Sequence, residues 1–318
     1  MPIPFTQVAL VIAMSLAAPT PPRSLASTAA RNEPLDSLRS KIQRRVADTR
    51  GAIVGLAYHD LETGDSLFVN ADDSFHAAST MKVPVMIELY RQIDAGHLRL
   101  DQGILLVNQF ASIVDQSPYS LDPGADSDSA AYTRVGAHVP VRELIDRMIT
   151  RSSNLATNAL IGVAGAEKTN ATAHSLGARN IRVLRGVEDG KAFSAGLNNT
   201  TTARDLQVLM EAIETGRAAS RASCDAMRDV LLRQEFNGEI PAGLPLGMKV
   251  AHKTGFITGV LHDAAIVYPP GRKPYVLVVL TRAIPDEQVA RTLIADLSRL
   301  VYAHAVPQRT ASTPAAAR

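Results

Sequence analysis

Strand-forming sequence lies at the two ends of this chain and helical periodicity fills the space between, which restricts the fold more than any single motif does. "GAIVGLAYHDLETGDSLFVNAD" (51–72) reads as two strands around "ETGD", whose glycine suits the left-handed position of a short hairpin loop. Strand signals return only in "MKVAHKTGF" (248–256), "HDAAIVYP" (262–269) and "YVLVVLTRA" (275–283). Outside these strands lie amphipathic segments. Leu38, Ile42 and Val46 fall at i, i+4 and i+8 in 35–50, and a helical pattern runs over 286–305. From Phe75 to about Thr215 the pattern is helical. "VRELIDRMI" puts Val141, Leu144, Ile145, Met148 and Ile149 on one face, and "TARDLQVLMEAIETG" opens with Thr202 and Asp205 in capping-box spacing and closes at Gly216. The expectation is an α/β (α+β) fold. One antiparallel sheet built from both termini (35–74 and 217–306) carries flanking helices, and an all-helical domain (75–216) is inserted at its edge, which makes a cleft.

Charge narrows the function classes. With 33 basic and 31 acidic residues and no long like-charge block, the chain lacks the footprint of a nucleic-acid binder or a polybasic membrane anchor. Cys224 is the only cysteine, which removes an intrachain disulfide and a thiolate metal site. The eight histidines form no ligand pattern, and His252, one residue before Lys253 on a strand, is expected to face the opposite side in a structural role. No metal and no cofactor is expected. "VALVIAMSLAA" (8–18) has signal-peptide length and "SLA" (24–26) has small residues at both cleavage positions, although no Lys or Arg precedes the run. The expectation is a signal peptide over 1–26, a buried or interfacial helix being the alternative. A secreted or periplasmic protein without a membrane anchor goes with it; separately, a monomer is expected, and "TASTPAAAR", which has no large apolar side chain, gives a disordered tail over 307–318.

Three short stretches carry chemistry. In "AASTMKVPVM" (77–86), Ser79 and Lys82 stand at i and i+3 at the mouth of an apolar helix. A serine hydroxyl is a poor nucleophile until a base takes its proton, and a lysine depressed by burial and nearby cations can do so. A helix cap followed by a lysine reads the same way. In "RSSNLATN" (151–158), Ser152 can relay a proton and Asn154 can offer its amide to a substrate carbonyl, while plain capping also explains them. In "HKTGF" (252–256), Lys253 and Thr254 suit a substrate carboxylate and Gly255 permits close approach.

Taken together and in this order, Ser-x-x-Lys, Ser-x-Asn and Lys-Thr-Gly resemble the three-motif signature of class A β-lactamases and penicillin-binding proteins, over roughly residues 36–304. The resemblance implies Ser79 as the acylated nucleophile, Lys82 as base or relay, and Ser152 as the hydroxyl that passes the proton to the departing nitrogen. It further implies Asn154 as a substrate contact, Lys253 and Thr254 as the carboxylate anchor, and an oxyanion hole from the backbone N–H groups of Ser79 and Phe256 beside Gly255. The substrate implied is a small molecule, a β-lactam or a peptidoglycan-like peptide. A related D-Ala-D-Ala peptidase or esterase, and a silent penicillin-binding sensor, are the rival readings.

Three departures from the pattern are visible. Ser153 stands where the family carries aspartate, which is expected to change loop hydrogen bonds rather than chemistry. Glu188 is the candidate deacylation base, with Asp189 a competitor, but Ala192 stands where the family's water-positioning asparagine belongs. The stretch "DQSPYSLDPGADSDSAAY" (115–132) reads as an extra loop on the cleft rim, solvated rather than built for ligand stacking by Tyr119 or Tyr132.

Overall fold

The structure, a computed structural model, describes residues 1–2 and 34–307. The expected leader and tail lie outside the described residues but for Met1, Pro2 and Pro307. Five strands, β1 (Ile53–Asp60), β2 (Ser66–Val69), β3 (Lys249–Ile257), β4 (Val260–Tyr268) and β5 (Tyr275–Arg282), form one antiparallel sheet in the order β2-β1-β5-β4-β3. The first and last parts of the chain thus meet in one sheet. Ile53 of β1 pairs with Arg282 of β5, and Ala264 of β4 with Lys253 of β3. Gly64 takes the left-handed position of the β1–β2 hairpin at φ 78°.

Both faces of the sheet are covered, which is why β1 and β5 are apolar almost without alternation. Leu56, Tyr58, Leu277 and Val279 pack against helices α1 (Leu35–Ala47) and α9 (Glu287–Ala305), with Leu38 and Ile42 of α1 buried as their spacing requires. Ala264, Ile266, Val278 and Leu280 face the other way, into a core shared with α2 (Lys82–Asp94), α3 (Val141–Thr150), α4 (Asn154–Ala164), α5 (Ala166–Ser175) and α7 (Ala203–Glu214). A short α6 (Gly190–Ser194) lies between α5 and α7, and α8 (Arg221–Leu231) buries Cys224, Met227 and Leu231 in the same core as α2. Thr202 caps α7 by accepting from Asp205 N at 3.0 Å. The middle region is helical as expected, with short strand pairings added, among them Phe75–His76 with Thr200–Thr201. No helix among the described residues is long and apolar enough to cross a membrane.

Candidate active site

Ser79 does not cap a helix. It sits in a 3-10 turn, Ala78–Met81, that runs straight into α2, and neither element has a side-chain cap. Ala78 is held at φ 44°, left-handed for a residue with a side chain, and its N–H donates to His76 Nδ1 at 3.0 Å. Among the described residues the Ser79 hydroxyl makes no hydrogen bond, and it opens onto a cavity of about 610 Å³. That size suits a small-molecule ligand.

Two lysines converge on one hydroxyl beside it. Lys82 Nζ, at the start of α2 and fully buried, donates to Ser152 O at 2.7 Å, to Ser152 Oγ at 3.0 Å and to Asn154 Oδ1 at 3.2 Å. Lys253 Nζ, also fully buried, reaches the same Ser152 Oγ at 3.0 Å and Thr254 O at 2.8 Å. Burial pushes the Lys82 amine well below its ordinary value and the Lys253 charge adds to this, with Asp126 and Glu188 opposing. Lys253 is pushed down to about 7 by burial, opposed by Asp263 and Glu239. An amine of depressed pKa can accept a proton, and Ser152 Oγ bridges the two amines as a relay must.

The middle motif splits its tasks by position. Ser153 caps α4, its hydroxyl accepting from Ala156 N at 3.3 Å, which leaves Ser152 and Asn154 to face the cavity. Ser152 is held at φ 57° and Glu188 at φ 60°. Each such conformation costs on the order of 1–3 kcal/mol and persists only where the surroundings enforce it. With Ala78, three strained residues ring the site.

β3 is one of the two edge strands, and its outer side lies against the Ser79 turn. A Cβ on Gly255 would stand 3.2 Å from Ser79 N and Thr80 N and 3.1 Å from Thr80 Cγ2. The glycine therefore lets the β3 backbone approach the Ser79 N–H, the closeness that an oxyanion hole requires. Phe256, half exposed, lines both the main cavity and a smaller one of about 210 Å³ that also takes in Ser152, Thr254 and Arg291. His252 points to the opposite side of the strand, bonded to Asp263 at 3.0 Å and Asn237 at 3.2 Å.

Glu188 closes the cavity from the far side. Its Oε1 accepts from Asn154 Nδ2 at 2.6 Å, so Asn154 bridges Lys82 and Glu188. Partial burial raises the carboxyl above its ordinary value; the Asn154 bond opposes and the Asp126 charge reinforces. Asp189, weighed against Glu188 from the sequence, is not placed to act. It is buried, its oxygens are occupied by Ser112 Oγ, Ile113 N and Ala192 N, and it caps α6.

Asn158, Gly186 and Asp126, to which the sequence reading gave no role, hold this side together with Tyr119. Asn158 accepts from Val187 N at 2.6 Å and donates to Val187 O at 3.1 Å, and Gly186 leaves it the room, since a Cβ there would meet Asn158 Oδ1 at 2.3 Å. Tyr119 donates to Val187 O at 3.3 Å. Asp126 accepts from Asn154 N and Leu155 N, each at 3.0 Å. Most of the 115–132 loop is exposed and it borders the cavity through Ala125, as a solvated rim should, but it is pinned at particular side chains. Both of its tyrosines are engaged with protein, Tyr132 with Asp126 at 3.0 Å, and Asp126 and Asp128 are buried. The signal was available in principle, since "ADSDSAA" crowds acidic residues beside small ones, but nothing local says which backbone they meet. A larger hollow of about 740 Å³ behind this loop shares only Asp189 and Gly190 with the Ser79 cavity.

A serine with an unbonded hydroxyl where sheet and helices meet, a second hydroxyl between two depressed lysines and a carboxylate facing them are the groups a serine hydrolase needs. Comparison with known proteins makes this specific. The profile of the β-lactamase enzyme family matches residues 37–305. β-Lactamase AST-1 of Nocardia asteroides is 31% identical over 258 residues, 80% of this chain and 79% of that protein. Among solved structures, a β-lactamase from Sphaerobacter thermophilus DSM 20745 superposes with TM-score 0.72 at 27% identity, covering 87% of this chain and all of that one. A mutant of PBP-A, solved as an acyl-enzyme complex with penicillin G, gives TM-score 0.70 at 30% identity, covering 85% and 97%. The chain belongs to the β-lactamase enzyme family.

Proposed function

We propose that this serine hydrolase opens the β-lactam amide through an acyl-enzyme on Ser79 and releases it with water directed by Glu188. Ser79 Oγ attacks the lactam carbonyl while its proton passes to the neutral Lys82 amine. The oxyanion gathers the N–H groups of Ser79 and Phe256, beside Gly255. Ser152, bonded to Lys82, hands a proton to the departing nitrogen and is replenished from that amine. The substrate carboxylate lies against Lys253 and Thr254. Glu188 then takes a proton from the attacking water, and Ser79 leaves with the proton returned to it.

The observation that carries this reading is the Asn154 bridge, one side chain bonded to both Lys82 and Glu188 across the cavity that Ser79 faces. It supplies the partner for Glu188 that Ala192 cannot. Action as a monomer is part of this reading, and the apolar run at 8–18 supports export. The purified protein is expected to hydrolyse nitrocefin, and Ser79→Ala to lose that activity; equal turnover in both would overturn the mechanism. A second reading, a D-Ala-D-Ala peptidase with slow β-lactam release, draws on Ala192 and on the likeness to PBP-A. Labelled penicillin that stays bound to the wild type for many minutes would favour it.

A further inference from the structure

The 115–132 insertion is stapled to the α3–α4 junction at three consecutive residues. Asp126 Oδ2 takes the N–H groups of Asn154 and Leu155, Ser127 Oγ donates to Arg151 O at 2.6 Å, and Asp128 receives Arg147 in bonds of 3.0 and 3.1 Å. Asp126 is itself held by Tyr132 Oη and by Asp128 N, both at 3.0 Å, and is only 6% exposed. A helix start leaves several N–H groups without partners, and its dipole favours a negative charge. Ser153 satisfies one of these with a neutral hydroxyl; Asp126 satisfies two more and brings the charge.

Asn154 is the side chain that touches both halves of the chemistry, and whatever fixes its backbone fixes both contacts. We infer that Asp126 is a positioning residue for acylation and deacylation alike, acting through Asn154, so that the insertion supplies the carboxylate that the Ser-x-Asn motif lacks at 153. This rests on the function proposed above.

The carboxylate's charge also acts on the two titrating groups. It opposes the lowering of Lys82, which Lys253 reinforces, and adds to the raising of Glu188, which Asp122 also faces from the same loop. Removing its charge while keeping an acceptor oxygen therefore shifts Glu188 in a known direction.

The test uses Asp126→Asn, Asp126→Ala and Asn154→Ala, alone and combined, each checked by near-UV circular dichroism and thermal melting. In Asp126→Asn the Glu188 carboxyl, followed by carbon NMR in the free protein, is expected to titrate at lower pH than in the wild type. Asp126→Ala is expected to lower kcat/KM for nitrocefin about 100-fold, the scale of a misplaced catalytic group. In the Asn154→Ala background the same change is expected to cost less than about threefold, because both act on one contact. An unmoved Glu188 titration, or a full additive loss in the double variant, would overturn the inference, whatever happens to the melting temperature. If the wild type neither hydrolyses nor is acylated by penicillin, the proposed function falls and the inference with it; an active wild type with a fully additive double variant sinks the inference alone.

Discussion

The two sides of the Ser79 cavity are built by different means. On the acylation side, Lys82 opens a helix of the core, Lys253 lies within a sheet strand, and both side chains are fully buried on one serine hydroxyl. On the other side, Glu188 rides a loop whose shape comes from side chains reaching in from elsewhere: Asn154, Asn158 and Tyr119. Core elements place a group through their packing, whereas a loop must be tied at specific atoms. The acylation side therefore ought to tolerate change in its surroundings and the Glu188 side ought not to.

The largest effect breaks the first side at its reacting atom. Ser79→Ala is expected to remove acylation, with turnover falling by about 10⁶-fold, the scale set by loss of a nucleophile that acts with its base; intact-mass analysis after exposure to penicillin G checks it. Loss of a water-directing base comes next. Glu188→Gln is expected to slow deacylation about 1,000-fold while acylation changes less than about tenfold, and stopped-flow nitrocefin traces showing a burst followed by a slow phase would establish the split. Equal slowing of both steps would mean that the two sides are not separable.

Smaller changes sharpen the contrast. Asn158→Ala removes the two ties on Val187 without touching Ser79, so deacylation is expected to fall about 10- to 100-fold with acylation nearly intact. Gly255→Ala presses a methyl group onto Ser79 N and Thr80 N, so acylation is expected to fall about tenfold with deacylation less affected. The smallest effect is in pH. Lys253 must be cationic to hold a carboxylate, and with its pKa pushed down to about 7 it loses that charge as pH rises through neutrality. KM for a carboxylate-bearing β-lactam is expected to climb on the alkaline side of about 7, by at most about tenfold per pH unit, with kcat nearly flat.

The same contrast explains what was legible in the chain. Ser79 with Lys82, Ser152 with Asn154, and Lys253 with Thr254 are pairs within a few residues, because a helix turn or a strand sets their mutual geometry. The sheet was legible too, since burial on both faces leaves β5 as an apolar run and burial on one face leaves α1 its stripe. Asp126 lies 28 residues before Asn154, and Tyr119 is 68 before Val187, so their bonds depend on how the insertion folds back. No periodicity records that path. Composition gave the exposed loop but not its buried ties, because Asp, Ser, Pro and Gly suit a solvated loop and a tightly hydrogen-bonded one equally. The Asn154–Glu188 contact likewise joins positions 34 apart, and took the place of the Glu-x-x-x-Asn spacing for which Ala192 left no candidate.

The central claim is that Ser79 is acylated and that Glu188 frees it. Intact-mass time courses with penicillin G, on wild type, Glu188→Gln and Ser79→Ala side by side, test both parts at once. The account predicts a wild type that returns to its free mass as soon as substrate is spent, a Glu188→Gln variant holding one penicilloyl group per chain on the peptide containing Ser79, and no adduct in Ser79→Ala. A wild type that stays acylated as long as Glu188→Gln, or an adduct that survives in Ser79→Ala, would contradict it.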